Sequence, residues 1–445
     1  MQKPVTPILP DLIRLAIPIM LANLLQMMYN LVDAWFLGKI SAAAVSAPSI
    51  AFSVIFFLSV FGMGFSAAGT TLVAQARGSG RRDRSDFYAA QTLSLVTVVG
   101  IAAGTLGVLG TDPVLALLHV PPETLAYTRV YMRIVFAGTP FMYFYFVLQA
   151  VLQGVGDSIT PLLVQLGTVT LNIILDAVLI FGLGPFPAMD VAGAATATVI
   201  SRAVSAGIAL VILARGRTGV RIRLKDLPLR LPAMRKFVAI GLPMAIGQGI
   251  SAFGFTVLQG VVNGFGVAVV AAFGVGNRII GLFNMPAIGL SRATASLVGQ
   301  KLGAGQKDDA WSVVRLSLLA MLVFIVPGMA FTFFYGNTLV RFFVDDPLVV
   351  HHGATLFRIV SVSVIPFTLF NVINGAFQGG GLTRPMMYLG IIRLWGLRVP
   401  LAFLFAITLE FGPNGIWYAM FISNIVAAGV GFILLRQGKW LRQIA

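Results

Sequence analysis

Twelve stretches of this chain are each long and apolar enough to cross a lipid bilayer, and no water-soluble fold has room for that many. A spanning helix needs about 20 apolar residues, and runs of that kind fall near 12–37, 44–74, 87–110, 125–152, 159–182, 191–214, 235–260, 268–298, 310–336, 353–378, 386–409 and 415–437. In hydrocarbon every backbone polar group must be satisfied within the segment, so such runs become helices. The balance of the 445 residues agrees: 58% are hydrophobic and only 10% charged, against roughly 25% charged in an ordinary soluble domain. The expected fold is an all-α polytopic membrane protein of twelve transmembrane helices in two pseudo-symmetric six-helix bundles. The first run is too long for a signal-peptide core and has no small-residue cleavage site, so it reads as a retained helix.

The net charge of +16 would suggest nucleic acid in a soluble protein. Here the basic residues fall between apolar runs and set orientation instead. With a cytoplasmic N-terminus, the inner segments hold Lys3 and Arg14, the cluster from Arg77 to Arg84, the run from Arg215 to Lys236, then Lys301, Lys307, Arg384, Arg436, Lys439 and Arg442; the outer loops hold only Lys39 and Arg341. That bias predicts both termini on the cytoplasmic side of a plasma (inner) membrane, with the lipid bilayer as a partner and no role for nucleic acid. The chain has no cysteine and three histidines. Disulfides and thiolate chemistry are excluded, and little is left for a metal site or a histidine-based triad.

The run from Arg215 to Lys236 suits a topology anchor and connector far better than a dock for anionic lipid or nucleic acid. Its position divides the chain into residues 1–214, a basic cytoplasmic linker 215–236, and residues 237–445. An offset of 225 relates the two halves. It carries Pro18 onto Pro243, Leu72-Val73-Ala74-Gln75 onto Leu297-Val298-Gly299-Gln300, Gly78 and Gly80 onto Gly303 and Gly305, Arg133 onto Arg358, and Gln153-Gly154 with Gly156 onto Gln378-Gly379 with Gly381. Six helices preserve the sense of crossing, so the copies are parallel repeats, a recurrent plan in transporters.

These residues resemble the MATE family, the multidrug and toxic compound extrusion transporters. The first helix has Pro18, Gln26, Tyr29 and Asp33, and the second ends Val73-Ala74-Gln75 then Gly78. Leu152-Gln153-Gly154 with Gly156-Asp157 and Pro161 follow the fourth, and Asn172-Ile173-Ile174-Leu175-Asp176 lies in the fifth. Gly193 to Thr198 opens the sixth; Gln378-Gly379-Gly380-Gly381 and Arg393-Leu394-Trp395 with Arg398-Val399-Pro400 complete the match. NorM-type members carry acids in the seventh and tenth helices. This chain has none there, and its acids lie in the N-terminal half, which resembles the DinF branch.

Asp33 and Asp176 sit deep in apolar runs, where a carboxylate is costly and marks an ion or proton path. A rise of about 1.5 Å per residue puts both, and Thr198, in the outer half of the bilayer. Asn172 and Asp176 share a helix face at i, i+4. Asp33, Asp176, Asn172 and Thr198 together offer the hard oxygens that suit Na⁺, by analogy with other hard cations; an internal hydrogen-bond network that fixes packing would use the same groups. The resemblance implies cation or proton coupling at these four, a substrate pocket at Gln26, Tyr29 and Asn30, and bending of the first helix at Pro18. Pro243, the repeat partner of Pro18, fits a purely scaffold role as well. The acids do not repeat: Asp33 falls opposite Leu258 and Asp176, with one residue of slippage, opposite Pro400. Met27, Met28, Phe141 and Tyr143 to Tyr145 suit an adaptable apolar pocket or plain packing.

The expected function is a cation-coupled antiporter, driven by H⁺ or Na⁺, that exports organic, often cationic amphipathic compounds as a monomer with no cofactor and no metal beyond Na⁺ at the coupling site. A flippase for lipid-linked precursors is the alternative in the same superfamily. An enzyme would need clustered catalytic residues, and a passive channel does not explain unpaired acids on a duplicated frame.

Overall fold

The structure, a computed structural model, describes residues 8–445 other than 217, so Lys3 and Arg217 of the orientation set lie outside the described residues. The described residues form helices and no strands: α1 (Ile8–Gly38), α2 (Ala42–Gly78), α3 (Arg82–Leu109), α4 (Thr111–Leu117), α5 (Pro122–Ala137), α6 (Thr139–Val155), α7 (Ile159–Phe181), α8 (Asp190–Arg215), α9 (Leu231–Asn263), α10 (Val267–Gly303), α11 (Lys307–Phe343), α12 (Pro347–Gly379), α13 (Arg384–Ile391), α14 (Val399–Phe403) and α15 (Pro413–Arg436). Eleven helical segments are long and apolar enough to span a membrane, and the bent pair α5–α6 makes a twelfth.

Three elements differ from their expected form. The run 125–152 is two helices bent by 49° at Gly138. Pro140, in the first turn of α6, has no N–H for the carbonyl of Phe136, and a Cβ at Gly138 would sit 2.3 Å from Val199. The run 386–409 is not one α-helix: π-helical turns at Ile392–Arg398 and Leu404–Thr408 flank α14. Pro400 removes an α-type donor inside that stretch, one of the identifiable causes of such a disturbance. The short α4, unforeseen between the third and fourth spans, carries Asp112, which pairs with Arg129 (2.8 Å) and Arg133 (2.6 Å). Arg133 is therefore part of an exposed ion cluster with Asp112 and Arg129.

The repeat is written in the backbone. Gly80 and Gly305 have φ of 75° and 76°, and Gly156 and Gly381 have 95° and 69°, the left-handed region that glycine enters freely. A Cβ at Gly154 would meet Val73 and the carbonyl of Thr70 at 3.0–3.1 Å; at Gly379 it would meet Val298 and the carbonyl of Ala295 at 2.8 and 2.6 Å. Each neighbour is the other's counterpart at the same offset.

The described residues form two compact units, one of residues Leu21–Ala245 and one of Ile8–Met20 with Ile246–Ile444. This division departs from the expected 1–214 and 237–445 in one respect. The start of α1 packs with the second repeat and the start of α9 with the first, and both transfers follow a proline by two residues, Pro18 and Pro243. Glycine permits each. In the first unit Gly64 of α2 lies against Gly241 and Ala245 of α9, with a Cβ at Gly64 only 2.6 Å from the Gly241 carbonyl. In the second, Gly289 of α10 lies against Ala16 and Met20 of α1, at 3.1 Å from the Ala16 carbonyl. These are the same contact shifted by 225.

The linker is shorter than expected, since residues 231–236 belong to α9. What remains is bound to α3. Gln91 donates to the carbonyls of Asp226 (2.7 Å) and Pro228 (2.8 Å) and accepts from the Arg230 N–H (2.9 Å). Asp86 accepts from the Arg221 N–H at 2.9 Å.

Candidate functional site

In the N-terminal unit the sequence carries two acids into apolar helices, and the fold brings them to each other. Asp33 lies five residues before the end of α1, Asp176 five before the end of α7, and Thr198 eight after the start of α8. All three therefore sit about 8–12 Å inside the same end of the unit. The Asn172 amide bridges the acids: its nitrogen donates to Asp33 Oδ1 (3.1 Å) and Asp176 Oδ2 (3.0 Å). The opposite orientation would aim its oxygen at two acceptors, which fixes the assignment.

The two carboxyl groups also lie within hydrogen-bonding reach of each other. Ionised carboxylates only accept, so that contact becomes a bond when one proton is held between them. Asp176 and Asn172 are fully buried, and Asp176 Oδ1 has no hydrogen-bond partner in the protein. A buried acceptor left unmatched is costly unless a proton or cation meets it. Asp33 is half-buried and is the accessible member of the pair.

Tyr29, one turn before Asp33, places its hydroxyl 2.6 Å from Thr198 Oγ1 and within bonding reach of Asp33. A hydroxyl has one proton to give. With Tyr29 donating to an ionised Asp33, Thr198 donates to Tyr29. The structure thus joins Asp33, Asn172, Asp176, Tyr29 and Thr198 in one network. Gln26 and Asn30 form a separate row on α1: Gln165 of α7 donates to Gln26 (3.1 Å), whose amide reaches the exposed Asn30 at 3.5 Å. Pro18 lies 15 residues before Asp33, about 22 Å along the helix, and has no part in the network. Tyr143, a pocket candidate, is buried packing. Its ring lies against Gly62 and Gly100, and its hydroxyl bonds the carbonyl of Leu58.

Two participants were not anticipated. Arg202, one turn after Thr198 on α8, places its charge close enough to act on Asp33 and Tyr29, and Tyr131 of α5 faces both acids. An arginine inside the sixth apolar run was the available signal for the first; inspecting each acid's own helix alone misses it. Tyr131 follows the buried Thr124 and Thr128 on α5, an inward polar row that was the available signal for it. Among the described residues no cluster of three or more His, Cys, Asp or Glu suits a metal ion.

The MatE family model matches the chain twice, at residues 18–178 and 243–404, opening on Pro18 and on Pro243. A protein of Thermotoga maritima described as probable multidrug resistance protein NorM is 29% identical over 439 residues, covering 99% of this chain and 94% of that one. The FAD transporter of Shewanella oneidensis is 25% identical over 426 residues, covering 96% and 94%. A crystal structure described as MATE in the bent conformation superposes with a TM-score of 0.90 at 24% identity, covering 96% of this chain and 94% of that one. The two matches fall one on each repeat and span well over half of the chain, which belongs to the MATE family of membrane transporters.

Proposed function

We propose that the protein is a cation-driven antiporter that exports organic compounds, with Asp33 and Asp176 as the groups that take up H⁺ or Na⁺. The observation that carries this is the Asp33–Asn172–Asp176 bridge with one unpartnered Asp176 oxygen. Two carboxylates share the site while, of the two, the Arg202 charge acts on Asp33 alone, which leaves an uncompensated negative charge in a poorly solvated place. A single monovalent cation neutralises it, so the expected load is one H⁺ or one Na⁺ at this site. Asn172 holds the acids in register, while Tyr29 and Thr198 relay the hydrogen bond from Asp33 to α8. The position of both acids in the N-terminal half agrees with a DinF-like arrangement. The ion drives transport only by binding the inward- and outward-open states differently, and Asp33, half-buried on a helix that carries Pro18 in its interior, is suited to change its surroundings between them. The multidrug-resistance name of the Thermotoga relative supports drug-like organic compounds as substrates, the two acids favour cationic ones, and the basic residues of alternate loops support cytoplasmic termini; we read the chain as acting as a monomer.

A second reading, a flavin or other dinucleotide as substrate, is favoured by the Shewanella relative. Proteoliposomes loaded under either a proton gradient without Na⁺ or a Na⁺ gradient without ΔpH test both readings, with ethidium and FAD as alternative substrates. Uptake of neither substrate under either gradient would sink the antiporter reading, and transport of a lipid-linked sugar instead would establish the flippase alternative.

A further inference from the structure

The C-terminal unit holds the opposite charge. Arg393 and Arg398, on the π-helical turn Ile392–Arg398, are 5% and 2% exposed. They are five residues apart, and the widened π turn sends both guanidinium groups to one buried point, the side chain of Asn424 on α15. Arg393 Nη1 donates to Asn424 Oδ1 at 3.0 Å, and Arg398 Nη2 donates to the same oxygen at 2.5 Å. Arg398 Nε donates to Ser423 Oγ at 3.0 Å. Asn424 in turn donates to Ser363 of α12, at 2.9 Å to Oγ and 3.2 Å to the carbonyl. Aromatic faces close the sides: Phe367 and Phe370 lie 4.9 and 5.6 Å from the Arg393 guanidinium, and Phe255 lies 5.7 Å from that of Arg398.

Nothing in this cluster is negative. The sequence has no Asp or Glu in residues 347–409, in α9, in α10 or in α15, and the acids at the start of α11 are engaged elsewhere or exposed. Guanidinium groups do not shed their proton to escape burial, so two like charges converge on one amide oxygen and act on each other. Buried charges are ordinarily paired. Arg393 Nε, moreover, has no hydrogen-bond partner in the protein. The cluster has a donor to spare, excess positive charge, and an enclosure of aromatic faces that leaves the arginines almost unexposed.

We propose that Arg393, Arg398, Asn424 and Ser423 form a binding site for a small inorganic anion, chloride in the cell. A halide accepts from several N–H and O–H groups at once, supplies the missing charge and needs no directional match. The enclosure argues against a large organic anion. The site is built only when the 392–398 turn is π-helical, because that turn aims both arginines at α15; the anion therefore holds that turn in its present form. Such turns recur at functional positions inside helices.

The test uses the full-length protein in detergent, titrated with sodium chloride or bromide at constant ionic strength against sodium gluconate. A ligand that binds the folded state alone gives a saturable rise in Tm, and about 2–4 °C is expected. The informative variant is Asn424→Asp, which places a fixed carboxylate between the arginines. It should fold, match or exceed the wild-type Tm in gluconate, and lose the halide response. Arg398→Gln should fold less well, and any folded fraction should bind halide at least tenfold more weakly. Identical wild-type Tm values in chloride and gluconate would overturn the proposal. So would an Asn424→Asp protein that keeps the full halide response, or stabilisation by phenyl phosphate with none by halide.

Discussion

Asp33 and Asp176 differ in what surrounds them, and the difference assigns their parts. Asp176 is fully enclosed and bridged by Asn172; Asp33 is half-buried and shares its contacts with Tyr29. Removing the charge at Asp33 leaves the fold intact, because a buried ionised group is weak support for stability. Asp33→Asn should therefore express normally and lose at least ~10-fold in ion-driven transport, roughly 1.4 kcal/mol of coupling. Loss of folded protein on gels with transport per folded molecule preserved would mean that the acids serve packing alone. Protonating Asp33 removes the negative charge that a cationic substrate or Na⁺ would otherwise meet. Wild-type affinity for ethidium should accordingly fall as pH is lowered, and Asp33→Asn should be flat; superimposable profiles would refute a protonation switch at this residue. Arg202 sets the charge balance, so Arg202→Gln should need a second cation and steepen the dependence of transport on proton concentration. The acids were legible in the sequence because charge inside an apolar run is rare. Arg202 and Tyr131 were not, because their relation to Asp33 crosses between helices and leaves no period along the chain.

At the scale of elements, the spans and the repeat could be read from the sequence, since both depend on local composition and a constant offset. Breaks within spans could not. Gly138 and Pro140 interrupt the fourth span, and the π turns around Pro400 interrupt the eleventh, yet Pro48, Pro286, Pro327 and Pro366 lie inside helices that continue. The neighbours decide the outcome, and they are remote in sequence. The close approaches at Gly154 and Gly379 offer a graded test of the duplicated frame. A methyl group at Gly379 meets a backbone carbonyl at 2.6 Å, and at Gly154 it meets a movable valine and a carbonyl at 3.0–3.1 Å. Overpacking of this kind costs about 1–3 kcal/mol. Gly379→Ala should lower Tm more than Gly154→Ala, and the reverse order would show that the two contacts are not equivalent.

The whole molecule combines a frame present twice with chemistry present once. Leu258, opposite Asp33, is buried packing, and Pro400, opposite Asp176, lies by the π turns. Leu258→Ala should reduce stability by about 2–5 kcal/mol, and neither it nor Pro400→Ala should change the number of ions moved per substrate in a flux-ratio measurement. A changed ratio in either would place part of the coupling in the C-terminal repeat. The exchange of helix halves bears on how such a chain is made. The unit holding the acids is completed by α9 up to Ala245, through the Gly64–Gly241 approach. A ribosome that has just finished α8 has made every residue of the acid cluster but not the wall that closes its unit. The nascent protein must wait in the bilayer with its Gly64 groove uncovered until the seventh span is inserted, and a gene truncated at the connector yields six helices that never reach that point.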